Sequence, residues 1–201
     1  GGLDSAVTLS LAVSALGSEK VTGLIMPFRE TESVELAKTH ADGLNVSTKI
    51  ISIKEIVSSY KTSSSLFSGK LSEGNLHSRI RMSLLYGSGF SSNSLVIGTS
   101  NKSELLIGYW TKWGDGGTDF IPIGDLYKSQ VITLGEHLGV PSEILSRKPT
   151  AELWPGQTDE EEFGFTYSEL DKVLFNLEKF NTVSQINEKT GISSEKINKI
   201  K

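Results

Sequence analysis

The sequence contains no cysteine among its 201 residues. Disulfides, thiolate metal sites and a cysteine nucleophile are therefore excluded within it, and the composition suits a reducing compartment, so we expect a cytoplasmic protein. Long apolar runs are also lacking, because none approaches the roughly 20 residues that cross a bilayer. The net charge of −4 is small and offers no general attraction for nucleic acid or an anionic membrane. We expect neither of them as a partner.

The chain also lacks an initiator methionine and an apolar strand ahead of its two first glycines. We expect from this that a first strand of the fold is missing from the sequence. The remaining composition is ordinary, because 37% hydrophobic and 22% charged residues are typical of a globular domain rather than a disordered chain. A chain of this length fits one domain and buries most of the surface of its unfolded form.

Helical and strand-like patterns alternate along the first part of the chain. Apolar spacing predicts a buried helix over 3–16 that ends at Gly17, and a second helix over 31–44. Short apolar runs at 21–26 and 48–53 predict strands. Because such alternation is typical of a parallel α/β sheet, we predict a doubly wound, mainly parallel sheet with helices on both faces.

The rest of the chain continues this pattern less regularly. Segment 147–159 contains Pro149 and Pro155 and should be irregular. Residues 1–164 form the predicted core, and 165–201 a small C-terminal helical segment of the same domain. Four further elements are predicted within the core: a serine-rich surface loop at 62–72, a helix at 75–86, a third strand at 95–97 and a helix at 126–138.

The residues Gly1-Gly2-Leu3-Asp4-Ser5 stand directly before the first predicted helix. Two glycines let the backbone approach a ligand closely, and the start of a helix offers free N–H groups and a positive dipole end to an anion. Asp4 beside phosphates makes sense when a cation lies between them. The alternative is an ordinary helix capped by Asp4 or Ser5, and these five residues alone leave both interpretations open.

A second candidate segment follows the third predicted strand. Ligands of open α/β sheets bind beyond the carboxyl ends of the strands, so Thr99 and Glu104 should face the same crevice as the glycine loop. Thr99 would contact a nucleotide. Glu104 would give Mg²⁺ a second carboxylate beside Asp4, since this ion takes few protein ligands and keeps several waters. Alternatively, Glu104 is a first-turn acid that the helix dipole favours.

Further polar residues lie later in the chain. The loop at 109–119 combines two tryptophans, a lysine, two aspartates and three glycines, which indicates a binding loop, although a structured surface loop remains open. Lys128 could reach a phosphate and Thr150 offers a hydroxyl in a rigid turn, or each is simply solvated. We interpret the acidic run at 159–162 as a solvated helix start rather than a set of metal ligands.

Several of these segments resemble one family in their order and spacing. Gly1–Ser5 is similar to the pyrophosphate loop Ser-Gly-Gly-x-Asp-Ser of the N-type ATP pyrophosphatases, without its leading serine. The blocks GTSNKSELLIGYWTKWGDGGTD, PIGDLYK and KPTAEL resemble the ammonia-dependent NAD synthetases of that group. The resemblance runs from Gly1 to about Gly164 and implies an adenine-nucleotide α-hydrolase-like fold.

The resemblance implies ATP-dependent amidation of deamido-NAD by ammonia through an adenylated intermediate, giving NAD, AMP and pyrophosphate. It also implies Mg²⁺ as cofactor, a homodimer and no covalent protein catalyst. The implied metal ligands are Asp4 and Glu104. The implied ATP-binding residues are Gly1, Gly2, Leu3, Asp4, Ser5, Thr99, Lys128 and Thr150. The implied deamido-NAD-binding residues are Arg79, Lys112, Asp115 and Asp119.

Two other functions remain open at this point. The chain could be the synthetase portion of a glutamine-dependent NAD synthetase, or a nucleotide-binding module without catalysis. Arg79 could also be a helix-surface arginine in a salt bridge. The family's C-terminal His-Lys segment, which helps to bind the dinucleotide, is absent from these residues.

Overall fold

A computed structural model describes residues 1–154 and 156–201 of the protein. Pro155, one of the two prolines expected to interrupt regular structure, lies outside the described residues. Helix α1 spans Leu3–Leu16, as its apolar pattern predicts. It stops at Gly17, whose φ of 86° is one that residues with side chains rarely adopt.

Two parallel strands confirm the predicted type of sheet. Strands β1 (Thr22–Ile25) and β2 (Ser47–Ile50) pair in parallel, with Thr22 opposite Ser47. Helix α2 (Glu32–Gly43) connects them. Parallel strands require such a crossover, because a tight hairpin can join only antiparallel neighbours.

The third predicted strand, at 95–97, is reduced to a single bridge. Ile97 pairs in parallel with Phe120, and two backbone hydrogen bonds of 2.8 and 2.9 Å flank this pair. The pairing does not extend further along the partner segment, because a turn begins at Pro122 and proline has no N–H to donate. The direction of the pairing still agrees with the predicted parallel sheet.

The segment predicted as a serine-rich loop, 62–72, lies in helices at both ends and contains a short 3₁₀ helix, Ser65–Phe67, between them. Helix α3 spans Lys54–Ser63, and the long helix α4 spans Lys70–Ser92. Within these helices several hydroxyl groups donate to the carbonyl four residues earlier, as Ser63 does to Ser59 at 2.8 Å. Such bonds satisfy the hydroxyls inside a helix, so a serine-rich composition here does not mean a loop.

Three helices follow the bridge and form a second layer beside α1. Val131 of the second of them is fully buried against Val7 of α1 and Ile123, as expected for an amphipathic helix that covers a sheet. Between Leu145 and Asp159 the described residues form no regular element, as the prolines predict. The three helices are α5 (Lys102–Ile107), α6 (Lys128–His137) and α7 (Ser142–Leu145).

The last part of the chain is a bundle of short helices with its own apolar core. Leu170, Val173 and Ile186 are fully buried in this core. Tyr127, which precedes α6, belongs to the same buried cluster. The bundle therefore shares its core with the preceding part of the chain. Its helices are α8 (Asp159–Phe163), α9 (Tyr167–Glu178), α10 (Val183–Thr190) and α11 (Ser194–Ile200).

The helices found in the described ranges are all too short or too polar to cross a membrane.

The histidine of α4, His77, is buried in the core. The His77 side chain is 1% exposed, and its ring packs on Phe28 with centroids 4.3 Å apart. Neither ring nitrogen has a hydrogen-bond partner among the described residues. Burial, reinforced by the nearby Arg81, lowers the pKa of His77 to about 4, although Glu73 acts in the opposite direction. The folded protein therefore holds this imidazole in its neutral form.

We expect this histidine to make the fold sensitive to acid. The pKa of His77 is lower in the folded chain than its ordinary value of 6.5, so the unfolded chain binds the proton more tightly. Stability should fall as the pH drops from about 6.5 to about 4, by up to about 1.4 kcal/mol per pH unit. The free energy of unfolding of wild type and His77→Phe, measured in urea across this range, should show a smaller pH slope for the variant. His137→Phe, at an exposed position, is the control, and equal slopes in all three proteins would contradict the assignment.

Candidate active site

A single large cavity lies at the start of α1. Its volume is about 1980 Å³, and its walls include β1 and the segments 94–100 and 147–154. Arg79, Lys112 and Asp119 are not part of its lining. The other predicted site residues line it together: Gly1, Gly2, Leu3, Asp4, Ser5, Thr99, Glu104, Asp115, Lys128 and Thr150.

The first glycine of the loop is packed too closely for a side chain. A Cβ atom added to Gly1 would lie 2.1 Å from the backbone oxygen of Ser33, so glycine is required at this contact. Gly2 occupies the N-cap position of α1, and no side chain of the described residues caps the helix there. The first N–H groups of a helix have no partners within the helix. They remain available to an anion in the cavity.

The Asp4 carboxylate does not cap α1. Its Oδ1 atom accepts a hydrogen bond of 3.0 Å from the Asn101 side chain, and its Oδ2 atom contacts the Lys128 ammonium. The Ser5 hydroxyl donates to the carbonyl oxygen of Gly2 at 2.8 Å. The alternative in which Asp4 or Ser5 is an ordinary helix cap is therefore wrong. Asp4 instead connects the glycine loop with residues about 100 and 120 positions later.

Glu104 is fixed by the start of α5. Asn101 caps this helix by accepting from the Glu104 N–H, and the Glu104 carboxylate accepts from the Asn101 N–H at 3.2 Å. This reciprocal arrangement is a capping box. Asn101 also donates to Asp4, so one residue sets the distance between the two carboxylates that were predicted as metal ligands.

Lys128 is the cation of the site. It is the first residue of α6, is 2% exposed and pairs with Asp4. Its Nζ atom also lies 3.9 Å from Glu104 Oε1. The alternative of a solvated lysine is therefore wrong. An ammonium buried this deeply needs carboxylate partners, because its desolvation would otherwise cost several kcal/mol.

The electrostatics of the cluster follow from its burial. Burial and the neighbouring Asp4 raise the pKa of Glu104 above its ordinary value, and Lys128 opposes this change. Burial alone would lower the pKa of Lys128, but Asp4 and Glu104 outweigh it, and its pKa is raised. The ammonium is thus held in its charged form, while the carboxylates compete for it. The cluster contains more acidic groups than basic ones.

Asp159 adds a third carboxylate, contrary to the prediction of a solvated acidic run. It is 4% exposed and accepts hydrogen bonds from the hydroxyls of Tyr109 (3.2 Å) and Tyr167 (3.0 Å). Burial raises the pKa of both phenols, which keeps them protonated as donors. Burial also raises the pKa of Asp159. The solvated interpretation failed for Asp159 because its cover depends on packing: Tyr109 is 50 positions away in the sequence, and Tyr167 lies on the next helix.

Segment 147–154 folds over the glycine loop. Arg147 donates to the carbonyl oxygen of Gly1 (3.2 Å) and to the carboxylate of Glu152 (2.8 Å). Glu152 also accepts from Ser33 at 2.6 Å and has a φ of 50°, an unfavourable angle for a residue with a side chain. The Thr150 hydroxyl accepts from the Glu152 N–H at 3.0 Å, which leaves its own O–H as a donor.

The four residues predicted to bind deamido-NAD lie on α4 and in the loop after α5. Each of them already makes contacts within the protein. Arg79 donates to the Lys112 carbonyl at 3.2 Å, and the Lys112 ammonium lies 5.8 Å from the centre of an exposed tryptophan ring. Asp115 accepts from a serine hydroxyl at 2.7 Å. Asp119 accepts from a backbone N–H at 2.7 Å and from a tyrosine hydroxyl at 3.1 Å. A surface salt bridge was the alternative prediction for Arg79, but this side chain donates to a backbone oxygen.

Sequence reasoning missed two further residues, one behind the site and one in the lining of the cavity. The sequence does indicate Asn101 as a helix cap, because Asn-x-x-Glu is a capping-box pattern. Its contact with Asp4 does not follow from that pattern. Arg81 lines the cavity and donates to the Met26 carbonyl at 3.0 Å. Burial lowers the pKa of Arg81, although Glu152 opposes this change. Nothing in the sequence alone indicated that Arg81 lines the cavity.

We expect Lys128 to hold the site together. Lys128→Met removes the charge from between buried carboxylates and should lower the free energy of unfolding by about 3–5 kcal/mol. Lys102→Met is the matched control, since this lysine begins α5 but pairs with the exposed acids Asp125 and Glu178. Urea unfolding should show a much smaller loss for the control. Equal losses in the two variants would contradict the role assigned to Lys128.

Comparison with known proteins places these features in a family. The model of the NAD synthase family matches residues 1–201. The chain is 52% identical over 182 residues to the NH(3)-dependent NAD(+) synthetase of Archaeoglobus fulgidus, which covers 89% of this chain and 73% of that protein.

Solved structures give the same answer. An NMN synthetase from Francisella tularensis is similar with a TM-score of 0.86 and 37% identity, over 99% of this chain and 78% of that one. An NH3-dependent NAD synthetase from Campylobacter jejuni is similar with a TM-score of 0.79 and 34% identity, over 100% of this chain and 78% of that one. This likeness confirms the predicted doubly wound α/β fold. Sequence and structure agree over the whole chain, and the protein belongs to the NAD synthase family.

Proposed function

We propose that this chain catalyses the ATP-dependent amidation of deamido-NAD by ammonia, through an adenylated intermediate, to give NAD, AMP and pyrophosphate. The observation that carries the proposal is the meeting of Asp4, Glu104 and Lys128 at the uncapped start of α1, in a member of the NAD synthase family. Relatives named NH(3)-dependent NAD(+) synthetase support ammonia as the nitrogen donor.

In this proposal the residues Gly1–Ser5 receive the phosphates of ATP. The uncapped N–H groups of α1 would donate to phosphate oxygens, and the dipole of the helix would favour their negative charge. Lys128 supplies a full positive charge beside them. Thr99 and Thr150 line the same cavity and would donate hydroxyl hydrogen bonds to the nucleotide.

We place Mg²⁺ at Asp4 and Glu104. Asp4, Glu104 and Asp159 are three acids beside a single ammonium, Lys128, and burial raises the pKa of Glu104 to about 8. A divalent cation would displace the proton of Glu104 and give that carboxylate a partner. No group of three or more metal-binding side chains is arranged to hold an ion within the described ranges. Two carboxylates fit Mg²⁺, which completes its shell with phosphate oxygens and water. When bound, the ion would stabilise the charge on the departing pyrophosphate.

We assign deamido-NAD to the loop after α5 and the facing side of α4. Arg79 and Lys112 offer positive charge to the dinucleotide, and Asp115 and Asp119 offer acceptors for its hydroxyl groups. The Arg79 guanidinium uses its Nε atom in the bond to the Lys112 carbonyl, and both side chains are exposed, so an anion can reach their charges. The two aspartates already hold the loop in shape, which would keep them in place for a ligand.

The chemistry that follows is mainly positioning and charge stabilisation. The nicotinate carboxylate would attack the α-phosphorus of ATP, the bond to the β-phosphate oxygen would break, and pyrophosphate would leave. Lys128 and the N–H groups of α1 would stabilise the negative charge on that leaving group. Ammonia would then displace AMP from the adenylated carboxylate. No covalent bond to the protein is needed.

We also propose that the predicted core 1–164 and the segment 165–201 work as one domain. Tyr127 and Phe163 of the core are buried in the same cluster as Leu170 and Ile186 of the segment. Separating the two parts would expose this cluster to water, which apolar side chains of this size strongly disfavour.

A homodimer is the assembly that we propose. The end of α4 and the turn after it expose a row of large apolar side chains, Tyr86 (37%), Phe90 (93%) and Leu95 (70%). Exposed apolar patches of this kind often mark protein interfaces, and the resemblance to the NAD synthetases implies a second copy of the same chain as the partner.

The proposed reaction is tested by following AMP release. Deamido-NAD, ATP, Mg²⁺ and ammonium should give AMP, pyrophosphate and NAD in equal amounts. Asp4→Asn should lower the rate about 100-fold or more, because it removes charge from the pyrophosphate and metal site. Asp125→Asn, at an aspartate that is 97% exposed, should retain wild-type activity and serves as the control.

Changing the substrates separates the other possible functions. Nicotinate mononucleotide in place of deamido-NAD tests for the smaller substrate suggested by the similar NMN synthetase structure. Glutamine in place of ammonium tests whether the chain can use an amide donor. ATP binding without AMP release under every condition would mean a non-catalytic nucleotide-binding module and would overturn the proposal.

The proposed assembly has its own test. Sedimentation should give the mass of a dimer at micromolar concentration, and Phe90→Glu should shift it toward the monomer, because a charge would be buried at the interface. Phe180→Glu is the control, since Phe180 is equally exposed but lies after α9. A wild-type monomer, or equal effects of the two substitutions, would contradict this interface.

A further inference from the structure

The C-terminal segment places two buried polar side chains behind the proposed site. Tyr167 and Asp171 both lie on α9 and are 4% and 6% exposed. They are four residues apart, so they project from one face of the helix. Leu170, Val173 and Leu174 of the same helix are buried in the apolar cluster to which the Tyr167 ring also belongs. The core therefore holds in place the helix that carries the two polar groups.

Asp171 joins the starts of two helices. Its Oδ1 atom accepts from the Ser103 hydroxyl at 2.5 Å, and its Oδ2 atom accepts from the Ser129 N–H at 2.8 Å. The same Ser103 hydroxyl oxygen accepts from the Lys128 N–H at 2.9 Å. Ser103 directly precedes Glu104, and Ser129 directly follows Lys128. One buried carboxylate thus fixes the backbone on which both site residues stand.

Tyr167 contacts the side chains of the site directly. Its hydroxyl lies 3.3 Å from Glu104 Oε1 and 3.0 Å from Asp159 Oδ2. The Lys128 ammonium lies 5.1 Å from the centre of its ring, within the range of a cation–π contact. The ring and hydroxyl of one tyrosine therefore restrict both the acid and the cation of the cluster.

We propose that Tyr167 and Asp171 are positioning residues that hold Glu104 and Lys128 in the geometry needed for the metal–nucleotide complex. The proposal rests on the function proposed above and extends the site into the C-terminal helices. The physical reason is preorganisation. Ligand side chains bind a metal tightly when a second layer of hydrogen bonds fixes their orientation, and loss of such partners weakens binding by about 10- to 100-fold. Asp171 fixes the backbone, and Tyr167 fixes the side chains.

The test measures metal–nucleotide binding apart from catalysis. Mn²⁺ is titrated into the full chain by electron paramagnetic resonance, in the presence of an ATP analogue with a methylene group between the α- and β-phosphates. Tyr167→Phe and Asp171→Asn should each weaken Mn²⁺ binding about 10-fold. In steady-state assays the KM for Mg–ATP should rise similarly, while the KM for deamido-NAD should change less than about two-fold.

A matched control lies on the same helix. Glu169 caps α9 and pairs with Lys196 at 2.5 Å, away from the cluster. Glu169→Gln should lower the thermal midpoint without changing Mn²⁺ binding. Ser103→Ala should also weaken binding, and the double variant should lose less than the sum of the two single losses, because the two substitutions share the Ser103–Asp171 bond.

The outcomes are separable. If Tyr167→Phe and Asp171→Asn bind Mn²⁺ and the analogue like wild type, and lose only thermal stability, the positioning role is wrong. The same conclusion follows if Glu169→Gln weakens binding as much as they do. If wild type binds Mn²⁺ with the analogue but never releases AMP, the proposed reaction fails, while the binding comparison still decides the role of α9.

Discussion

The structure of the site depends on one buried ammonium. Lys128 is almost fully buried and faces the carboxylates of Asp4, Glu104 and Asp159. A buried charge is tolerated only when it is paired, so segments from distant parts of the chain must meet at this lysine. Three acids share this one ammonium, and burial raises the pKa of Glu104 to about 8 and also raises the pKa of Asp159. Acids without a full partner of their own suit the cluster to a divalent cation with phosphates rather than to a purely structural ion pair.

The starts of three helices bring these groups together. Asp4 lies in the first turn of α1, Glu104 in the first turn of α5, and Lys128 begins α6. Helix starts carry a partial positive charge, so the same arrangement stabilises the acids and offers N–H groups to phosphates. Tyr167 and Asp171 of α9 approach from behind. The C-terminal helices are therefore part of the site and not only a stabilising addition.

Two local interpretations failed for a common physical reason. The acidic run at 159–162 is polar in composition, yet Asp159 is covered by two tyrosines and accepts from both. The serine-rich segment is helical at both ends, and Val57 of α3 and Leu76 of α4 are buried in one shared apolar cluster that holds these helices. In both cases composition describes what a residue prefers in water. The partners that change this preference are set by the rest of the fold.

The sequence by itself determined the α/β class and the bounds of α1, which follow from local spacing. It also determined the membership of Asp4, Glu104 and Lys128 in one site, but only through the joint resemblance of several motifs to one family, because each residue alone left an ordinary role open. Tertiary structure alone decided that Asn101 joins the two carboxylates, that Asp159 is buried, and that α9 supports the site. The reason is distance along the chain: Ser103 and Asp171 are 68 positions apart, and no local pattern encodes a contact that forms only when packing brings two helices together.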